Sequence, residues 1–290
     1  MDILSLFAII SKFTLYIGSL FASGTVFYLI FFEENKAQSI FNGRRIINLF
    51  AIIGLVSALT GYALAAARLT GEIAGAFDPE MLGILWQTPA GTALLLRVLG
   101  LSLILFGGFA SRLSHSIAVI GCLLVLGSFT QIGHVAGVPG FLFQILLFIH
   151  LIGITLWIGI LLPLYRLSLN PSQIETTAEI AYRFGRLAVF FVPILLIAGG
   201  WIAFQVVNSF ENLLTTRYGQ TLLIKVAIVT GLLGLGAANK LRFVPALKTG
   251  DSDALKHLQY SVLVEIMLAF FILSITAVLT SVLFLPEVHS

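Results

Sequence analysis

Eight long apolar runs dominate the sequence and constrain its fold more than any other feature. Each run has about 20 residues or more, the length that a helix needs to cross a hydrocarbon core about 30 Å thick. Because lipid offers the backbone no hydrogen-bond partner, such runs must be helical. They cover Ile3–Phe32, Ile46–Arg68, Thr88–Ser111, His115–Val135, Phe141–Arg166, Phe184–Phe210, Gln220–Phe243 and Leu258–Leu285. We therefore predict an all-α integral membrane protein with eight transmembrane helices.

The charge content of the chain also indicates a lipid environment. Only 10% of the residues are charged, against about 25% in soluble domains, so we expect the bilayer to be the main contact partner. A single cysteine, Cys122, excludes a disulfide framework and the paired-cysteine metal motifs. The sequence has no P-loop and no nucleotide fingerprint. Any transport is therefore not powered by an ATPase in this chain. We expect neither an enzyme nor a nucleic-acid partner.

Basic residues between the runs predict the orientation. Eleven lysines and arginines flank the loops after runs one, three, five and seven, whereas Arg68 and Arg217 lie on the other side. By the positive-inside rule, both termini of this multi-pass protein face outside, and in a bacterium this side is the periplasm. The longest outer loop, Leu69–Gln87, is either an interfacial segment anchored by Trp86 or an acidic mouth that collects cations.

Internal similarity divides the chain into two halves. The stretch Thr88–Val98 aligns with Thr216–Val226. A weaker pattern aligns run one with run five, placing Phe13, Gly18 and Gly24 opposite Phe148, Gly153 and Gly159. Because the paired runs are four helices apart, the halves cross the membrane in the same direction and are related by an axis along its normal. We predict one membrane domain built from a four-helix half at 1–136 and another at 137–290.

His150 lies in the interior of the fifth run, about 13 Å below its outer end. An imidazole in an apolar span is costly and by default marks a functional site. Neutral imidazole suits copper, zinc or haem iron; the alternative is a core histidine bonded to a neighbouring helix. His134, before the Pro139-Gly140 turn, is either interfacial or a second metal residue about 6–9 Å shallower. The two histidines would be consecutive stations, or partners with a third residue between them.

Four further side chains in the runs are candidates for the same site. Trp157 follows His150 by two helical turns and either shields it or packs in the core. Arg97 and Lys225 occupy equivalent positions in the two halves; they either snorkel to the interface or set the field of a pore as an anion clamp or a gate against cations. Glu265 has a short side chain, which favours a specific partner or a proton-linked role. Lys225 is its nearest candidate partner in sequence.

Three stretches resemble the copper resistance D family of bacterial inner-membrane proteins. The first is GHVAG with FIHLIGITLWIGILLPLYR, and the second is RFGRLAVFF with LLTTRYGQTLLIKVAI and GAANKLRFVPAL. The third is YSVLVEIMLAF, which runs on to FLPE. The family's T-x-Y-G-x-x-L-x-x-K pattern, its Asn-basic pair and its helix-8 glutamate match Thr216, Tyr218, Gly219, Leu222, Lys225, Asn239, Lys240 and Glu265.

The resemblance implies a protein that transports or handles copper, often beside a periplasmic copper-binding partner, with His134 and His150 as metal residues. With three methionines and one cysteine, the chain has no series of soft ligands for Cu(I), so Cu(I) and Cu(II) both stay open. Two alternatives remain. One is a haem-binding electron-transfer protein with His150 as an axial ligand, which the unequal depths of the histidines disfavour. The other is a membrane partner that docks a periplasmic copper chaperone through its outer loops.

Overall fold

The computed structural model describes residues 2–32, 42–107, 112–132, 141–249 and 251–283, and within these ranges the chain is helical, with no strand. Its α-helices are α1 (Ile3–Phe31), α2 (Gly43–Thr70), α3 (Pro79–Trp86), α4 (Pro89–Phe106), α5 (Arg112–Ser128), α6 (Phe141–Ser168), α7 (Ile174–Val207), α8 (Phe210–Thr215), α9 (Arg217–Ala238), α10 (Val244–Lys248) and α11 (Ser252–Ser281). Short 3-10 turns cover Ile73–Phe77 and Pro171–Gln173, and a π-helical turn, Asn239–Phe243, joins α9 to α10.

Seven helical stretches in the described ranges are long and apolar enough to cross a membrane. They contain α1, α2, α4, α6, α7, α9 with its continuation through α10, and α11. The fourth predicted span corresponds to α5, whose apolar stretch Ser114–Ser128 is shorter; its predicted continuation to Val135 enters residues 133–140, which lie outside the described residues. The prediction of an all-α protein with many membrane-spanning helices is confirmed.

The long helices form one antiparallel bundle with two ends, which we name the α3 end and the α10 end after the short helix at each. At the α3 end, Lys12 near the start of α1 donates from Nζ to the carbonyl of Thr280 near the end of α11, at 2.7 Å. At the α10 end, Arg183 near the start of α7 donates to the carbonyl of Phe31 at the end of α1, at 2.8 Å. These bonds connect helices that are distant in sequence.

Helix α1 lies at the centre and packs against α2, α5, α6 and α11. It crosses α6 where Gly24 meets Gly159, and a methyl group added at either glycine would overlap backbone atoms of the other. Such small residues let two helix backbones approach closely in a membrane. The two glycines that align in sequence between runs one and five are therefore in contact in the bundle.

Helices α4 and α9 begin in the same way. Thr88 caps α4 by accepting from the amide of Ala90 at 3.2 Å, and Thr216 caps α9 by accepting from the amide of Gly219 at 3.0 Å. Such caps satisfy backbone donors that have no partner within the helix. A short helix precedes each cap, α3 in one case and α8 in the other. The packing pairs α1–α2, α2–α4 and α4–α5 have counterparts in α6–α7, α7–α9 and α9–α11.

Helix α7 begins earlier than the apolar run predicts. It starts at Ile174 rather than at Phe184, so residues 174–183 are continuous with the sixth span. Residues 174–183 are too polar to belong to an apolar run, but they contain no glycine or proline that would break a helix. A turn precedes the helix, in which Asn170 accepts from the amide of Ser172 at 3.1 Å.

Candidate functional site

His150 on α6 is bonded to the backbone of α7. Its Nδ1 lies 3.0 Å from the carbonyl oxygen of Leu195. Because a carbonyl only accepts, Nδ1 carries the hydrogen, and in a neutral imidazole Nε2 keeps its lone pair. Nε2 makes no hydrogen bond to any residue that the structure describes. The ring is thus fixed through one nitrogen and has the other available as a ligand.

A glycine on α7 makes room for this ring. Gly199 lies one turn beyond Leu195, and a methyl group added there would lie 2.7 Å from Cε1 of His150. Carbon atoms pack best at about 3.5–4.0 Å, so the imidazole needs the bare backbone at this position. Gly199 and the carbonyl of Leu195 together form the seat of His150.

Lys225 on α9 lies close enough to His150 for the two side chains to interact electrostatically. It is partly buried, and within the described ranges no hydrogen bond or ion pair to it is found. The charged neighbour of the histidine is therefore a cation.

A second polar cluster lies deeper in the bundle. Glu265 on α11 is buried, with only 3% of its surface exposed. Its Oε2 accepts from Nε1 of Trp157 on α6 at 3.1 Å, and its Oε1 accepts from Nδ2 of Asn239 at 2.5 Å. Both carboxylate oxygens are therefore held by neutral donors from two other elements.

The local structure of α6 and α9 positions these two donors. Asn239 is the first residue of the π-helical turn, a distortion that is frequent at functional sites. The indole of Trp157 passes over Gly236, where an added methyl group would lie 2.8 Å from the ring. The indole also makes T-shaped contacts with Phe184 and Phe191, at centroid distances of 5.8 and 6.3 Å. The tryptophan is thus fixed by packing and by its bond to Glu265.

A cavity of about 370 Å³ adjoins this cluster, between α6, α7, α9 and α11. Trp157, Asn239, Lys240 and Glu265 contribute polar groups to its otherwise apolar lining. The Oδ1 atom of Asn239 is buried and has no hydrogen-bond partner within the described part of the chain. The cluster therefore combines a buried carboxylate, an unused acceptor and a space large enough for several water molecules.

The cation in the first half has different surroundings from Lys225. Arg97 on α4 is buried, donates from Nε to Oγ of Ser128 at 3.1 Å, and lies over the ring of Phe129 at 5.1 Å. Its guanidinium is thus bonded to α5 inside the bundle. The two equivalent positions carry like charges in unlike environments.

Two family models match this chain. The first, described as "Copper resistance protein D-like, N-terminal domain", matches residues 3–144, and the second, "Copper resistance protein D", matches residues 178–279. The two matches together include most of the bundle. The chain belongs to the copper resistance D family. It is therefore a copper-related membrane protein, as its sequence motifs predict.

One relative of this protein is the "Copper transport protein CutJ" of Bacillus subtilis (strain 168). It is 31% identical over 251 residues, which cover 80% of this chain and 46% of the relative. The chain therefore spans about half the length of this curated relative. No solved structure matches the chain.

The structure separates the predicted site residues of this copper resistance D protein into two groups. His150 and Lys225 lie together nearer the α3 end, whereas Trp157 and Glu265 bond to each other about two turns deeper on α6. The hydrogen-bond partners of Glu265 are Trp157 and Asn239. Lys225, its nearest candidate in sequence, forms no ion pair with it among the described residues and interacts electrostatically with His150 instead. His134 lies outside the described residues. Within those residues, no group of three or more His, Cys, Asp or Glu side chains is placed to hold a metal ion.

Three residues in these clusters were not predicted to belong to a site. Asn239 belongs to a motif of the copper resistance D family, but its bond to Glu265 depends on the π-helical turn. Gly199 and Gly236 lie in glycine-rich apolar stretches, and only the packing shows that they face His150 and Trp157. A signal was available in the sequence, because glycine is costly inside a helix and its presence requires a reason.

Proposed function

We propose that this protein moves copper across the bacterial inner membrane, with His150 as a ligand in the half of the bundle nearer the α3 end. The observation that carries the proposal is the seat of His150. Metal-binding histidines donate their other ring N–H to a carbonyl or carboxylate, which fixes the tautomer and orients the ring. The bond from Nδ1 to Leu195 has this form and leaves Nε2 for the ion. Membership of the copper resistance D family supports copper as the cargo.

The copper enters at the α3 end, which faces the periplasm together with both termini. A periplasmic copper-binding protein delivers it there. His134 lies seven residues before the start of α6 in sequence and serves as the second ligand or as an earlier station. Imidazole nitrogens accept copper in either oxidation state. The excess of basic residues in the loops at the α10 end supports this orientation.

The fold is a pair of parallel four-helix halves, 1–136 and 137–290, in which α5 belongs to the fourth of the eight spans. The contact between Gly24 and Gly159 supports this symmetry, because equivalent residues meet where a twofold axis passes between two helices. The matching caps of α4 and α9 support it too. Copper passes beside α6, in the second half.

Buried charges control the route at two depths. Lys225 repels a cation at the level of His150 when the site is empty, and Arg97 adds positive charge in the first half. Glu265 attracts a cation about 10 Å deeper along α6, by helix rise. Trp157 lies at the deeper level, shields the histidine from below and holds the carboxylate by its Nε1–H. Copper therefore meets repulsion at the entrance and attraction below it.

The test is copper binding and flux of the His150→Ala variant. In the purified protein, we expect the loss of high-affinity copper binding, exceeding the 10–100-fold that loss of an outer-shell partner costs. In proteoliposomes we expect the loss of copper flux. His257→Ala is the control, because His257 stacks on Phe243 near the α10 end. Unchanged copper binding by His150→Ala would refute the assignment.

The same preparations separate the alternatives. A Soret band in the absorbance spectrum of the purified wild type would replace copper by haem as the ligand of His150. If the protein only docks a copper chaperone, cells with the His150→Ala variant would keep the wild-type copper content. Changing the loop Leu69–Gln87 would alter that copper content.

A further inference from the structure

The bonding of Glu265 is unusual for a carboxylate inside a membrane bundle. Its two oxygens accept from an indole and an amide, both of which are neutral. Within the described residues, no Lys, Arg or His forms an ion pair with it. A buried carboxylate without a cation is strongly disfavoured, and it is stabilised by binding a positive ion or a proton. The remaining question is which of these the site is built to take.

The donor set of the site favours a proton. A hard metal cation takes six or more oxygen ligands, whereas the carboxylate of Glu265 has one other oxygen-bearing side chain, Asn239, among its hydrogen-bond partners. A copper ion favours nitrogen or sulfur ligands, and the indole of Trp157 is a donor only. A proton needs one acceptor beside the carboxyl group, and the buried Oδ1 of Asn239 has no other partner within the described chain.

We propose that Glu265 is a reversible proton-binding site, with Asn239 as an amide that donates to the carboxylate and turns over to accept from the acid. An amide has a donor and an acceptor on opposite sides of one bond. Rotation about Cβ–Cγ of Asn239 exchanges Nδ2 and Oδ1. In one orientation of the amide, Nδ2–H donates to the carboxylate. In the other orientation, Oδ1 accepts from the O–H of the carboxylic acid.

The step is balanced without any redox partner. A hydronium ion that enters the adjoining cavity gives its proton to Oε1 and leaves as water, the Nδ2–H···Oε1 bond is lost, and an O–H···Oδ1 bond forms. The Nε1–H of Trp157 stays on Oε2 in both states. The charge of the site changes by one, and release reverses the same movements.

Among the described residues, few titratable groups lie close enough to Glu265 to influence its protonation. Glu265 lies on α11, which packs against α1, α6, α9, the π-helical turn and α10. Among the residues that line the cavity, Lys240 on the π-helical turn is the other titratable one. The remaining titratable side chains of these elements lie further along their helices: Lys12, Tyr16, Tyr28, His150, Tyr165, Arg166, Arg217, Tyr218, Lys225, Arg242, Lys248, Asp253, Lys256, His257 and Tyr260.

The inference rests on the proposed function in one respect only. If copper moves past α6, a site that changes its charge by one below His150 couples the passage of a copper cation to the release of a proton. The proton-binding step itself needs no copper and is tested without it.

The test is infrared spectroscopy of the full-length protein in detergent, across a pH titration and in the absence of copper. The difference between the wild type and Glu265→Gln is expected to show the carbonyl stretch of a protonated carboxyl group that appears on acidification. Asn239→Ala is expected to shift the frequency of that band, because the acid loses its acceptor. Glu179→Gln is the control, since Glu179 is exposed and pairs with Lys248 at 3.5 Å.

The outcomes are distinguishable from a failure of the copper proposal. A difference spectrum without a titrating band would overturn the inference, and a band that Asn239→Ala leaves unshifted would overturn the role of the amide. If Glu265→Gln does not fold, the Gly236→Ala variant replaces it, because its added methyl group displaces the indole from Glu265; Gly234→Ala, which meets no atom within 4 Å, is its control. His150→Ala is expected to keep the band whether or not it binds copper.

Discussion

Substituting Gly199 by alanine tests the seat of His150 without touching the histidine. The added methyl group would lie 2.7 Å from Cε1, whereas carbon atoms pack best at about 3.5–4.0 Å. The ring must therefore withdraw from α7 by about 1 Å. The bond from Nδ1 to Leu195, now 3.0 Å, then lengthens to about 4 Å, which is beyond hydrogen-bond range.

The Gly199→Ala substitution changes copper affinity and protein stability for different reasons. Loss of the bond that orients a metal-binding histidine costs about 10–100-fold in metal affinity, or about 1.4–2.7 kcal/mol. Overpacking costs about 1–3 kcal/mol of stability, and the change from glycine to alanine in a helix returns about 0.5–1 kcal/mol. We therefore expect a large loss of copper affinity with a net destabilisation of about 0–2.5 kcal/mol.

The adjacent glycine provides a matched control. An alanine at Gly200 meets no atom within 4 Å, so it carries the same change in helix propensity without the contact. Copper affinity, measured by competition with a chelator on purified protein, should fall for Gly199→Ala and stay at the wild-type value for Gly200→Ala. Equal affinities for the two variants would refute the argument that the carbonyl of Leu195 orients a copper-binding imidazole.

Two further predictions concern charged groups. Lys225→Leu removes a cation that interacts electrostatically with His150. Copper should therefore bind at least several-fold more tightly in the same competition assay. Weaker binding would contradict a repulsive role of Lys225. At the start of α1, hydrogen bonds from the Ser5 side chain and backbone lower the pKa of Asp2 below its ordinary value. This cap stabilises the start of α1 above the ordinary carboxyl pKa, and its contribution is lost as the pH falls through the pKa of the folded state. The protection of the Ser5 amide, which is its exchange rate relative to the intrinsic rate at the same pH, should therefore fall on acidification in the wild type but not in Asp2→Asn.

The spans of this protein were predictable because lipid imposes a simple rule on length and polarity. The rule fails where lipid is absent. Residues 174–183 extend α7 although they belong to no apolar run, since helix propensity and the lack of a breaker decide there. The candidate side chains were predictable for the same reason, because an ionisable group such as Glu265 is conspicuous in an apolar run.

The partners of those side chains were not predictable. Trp157 and Glu265 are 108 residues apart, and His150 and Leu195 are 45 apart. Which groups meet depends on the rotation and register of the packed helices, which spacing along a single helix does not determine. The π-helical turn that brings Asn239 to the carboxylate changes that register locally. Proximity in sequence favoured Lys225 for Glu265, whereas packing placed it beside the histidine.

Positions that align between the first and fifth apolar runs have different surroundings in the bundle. In the alignment that pairs Gly24 with Gly159, the positions of His150 and Trp157 correspond to Leu15 and Ala22, and both of these are buried. The apolar first-half residues pack without a polar site, whereas the polar ones in the second half adjoin a cavity. The outer wall of that cavity includes α9, in which only Tyr218 and Gly219 are buried. Because an element with few buried contacts moves at low cost, we expect α9 to move more readily than the helices that pack around α1.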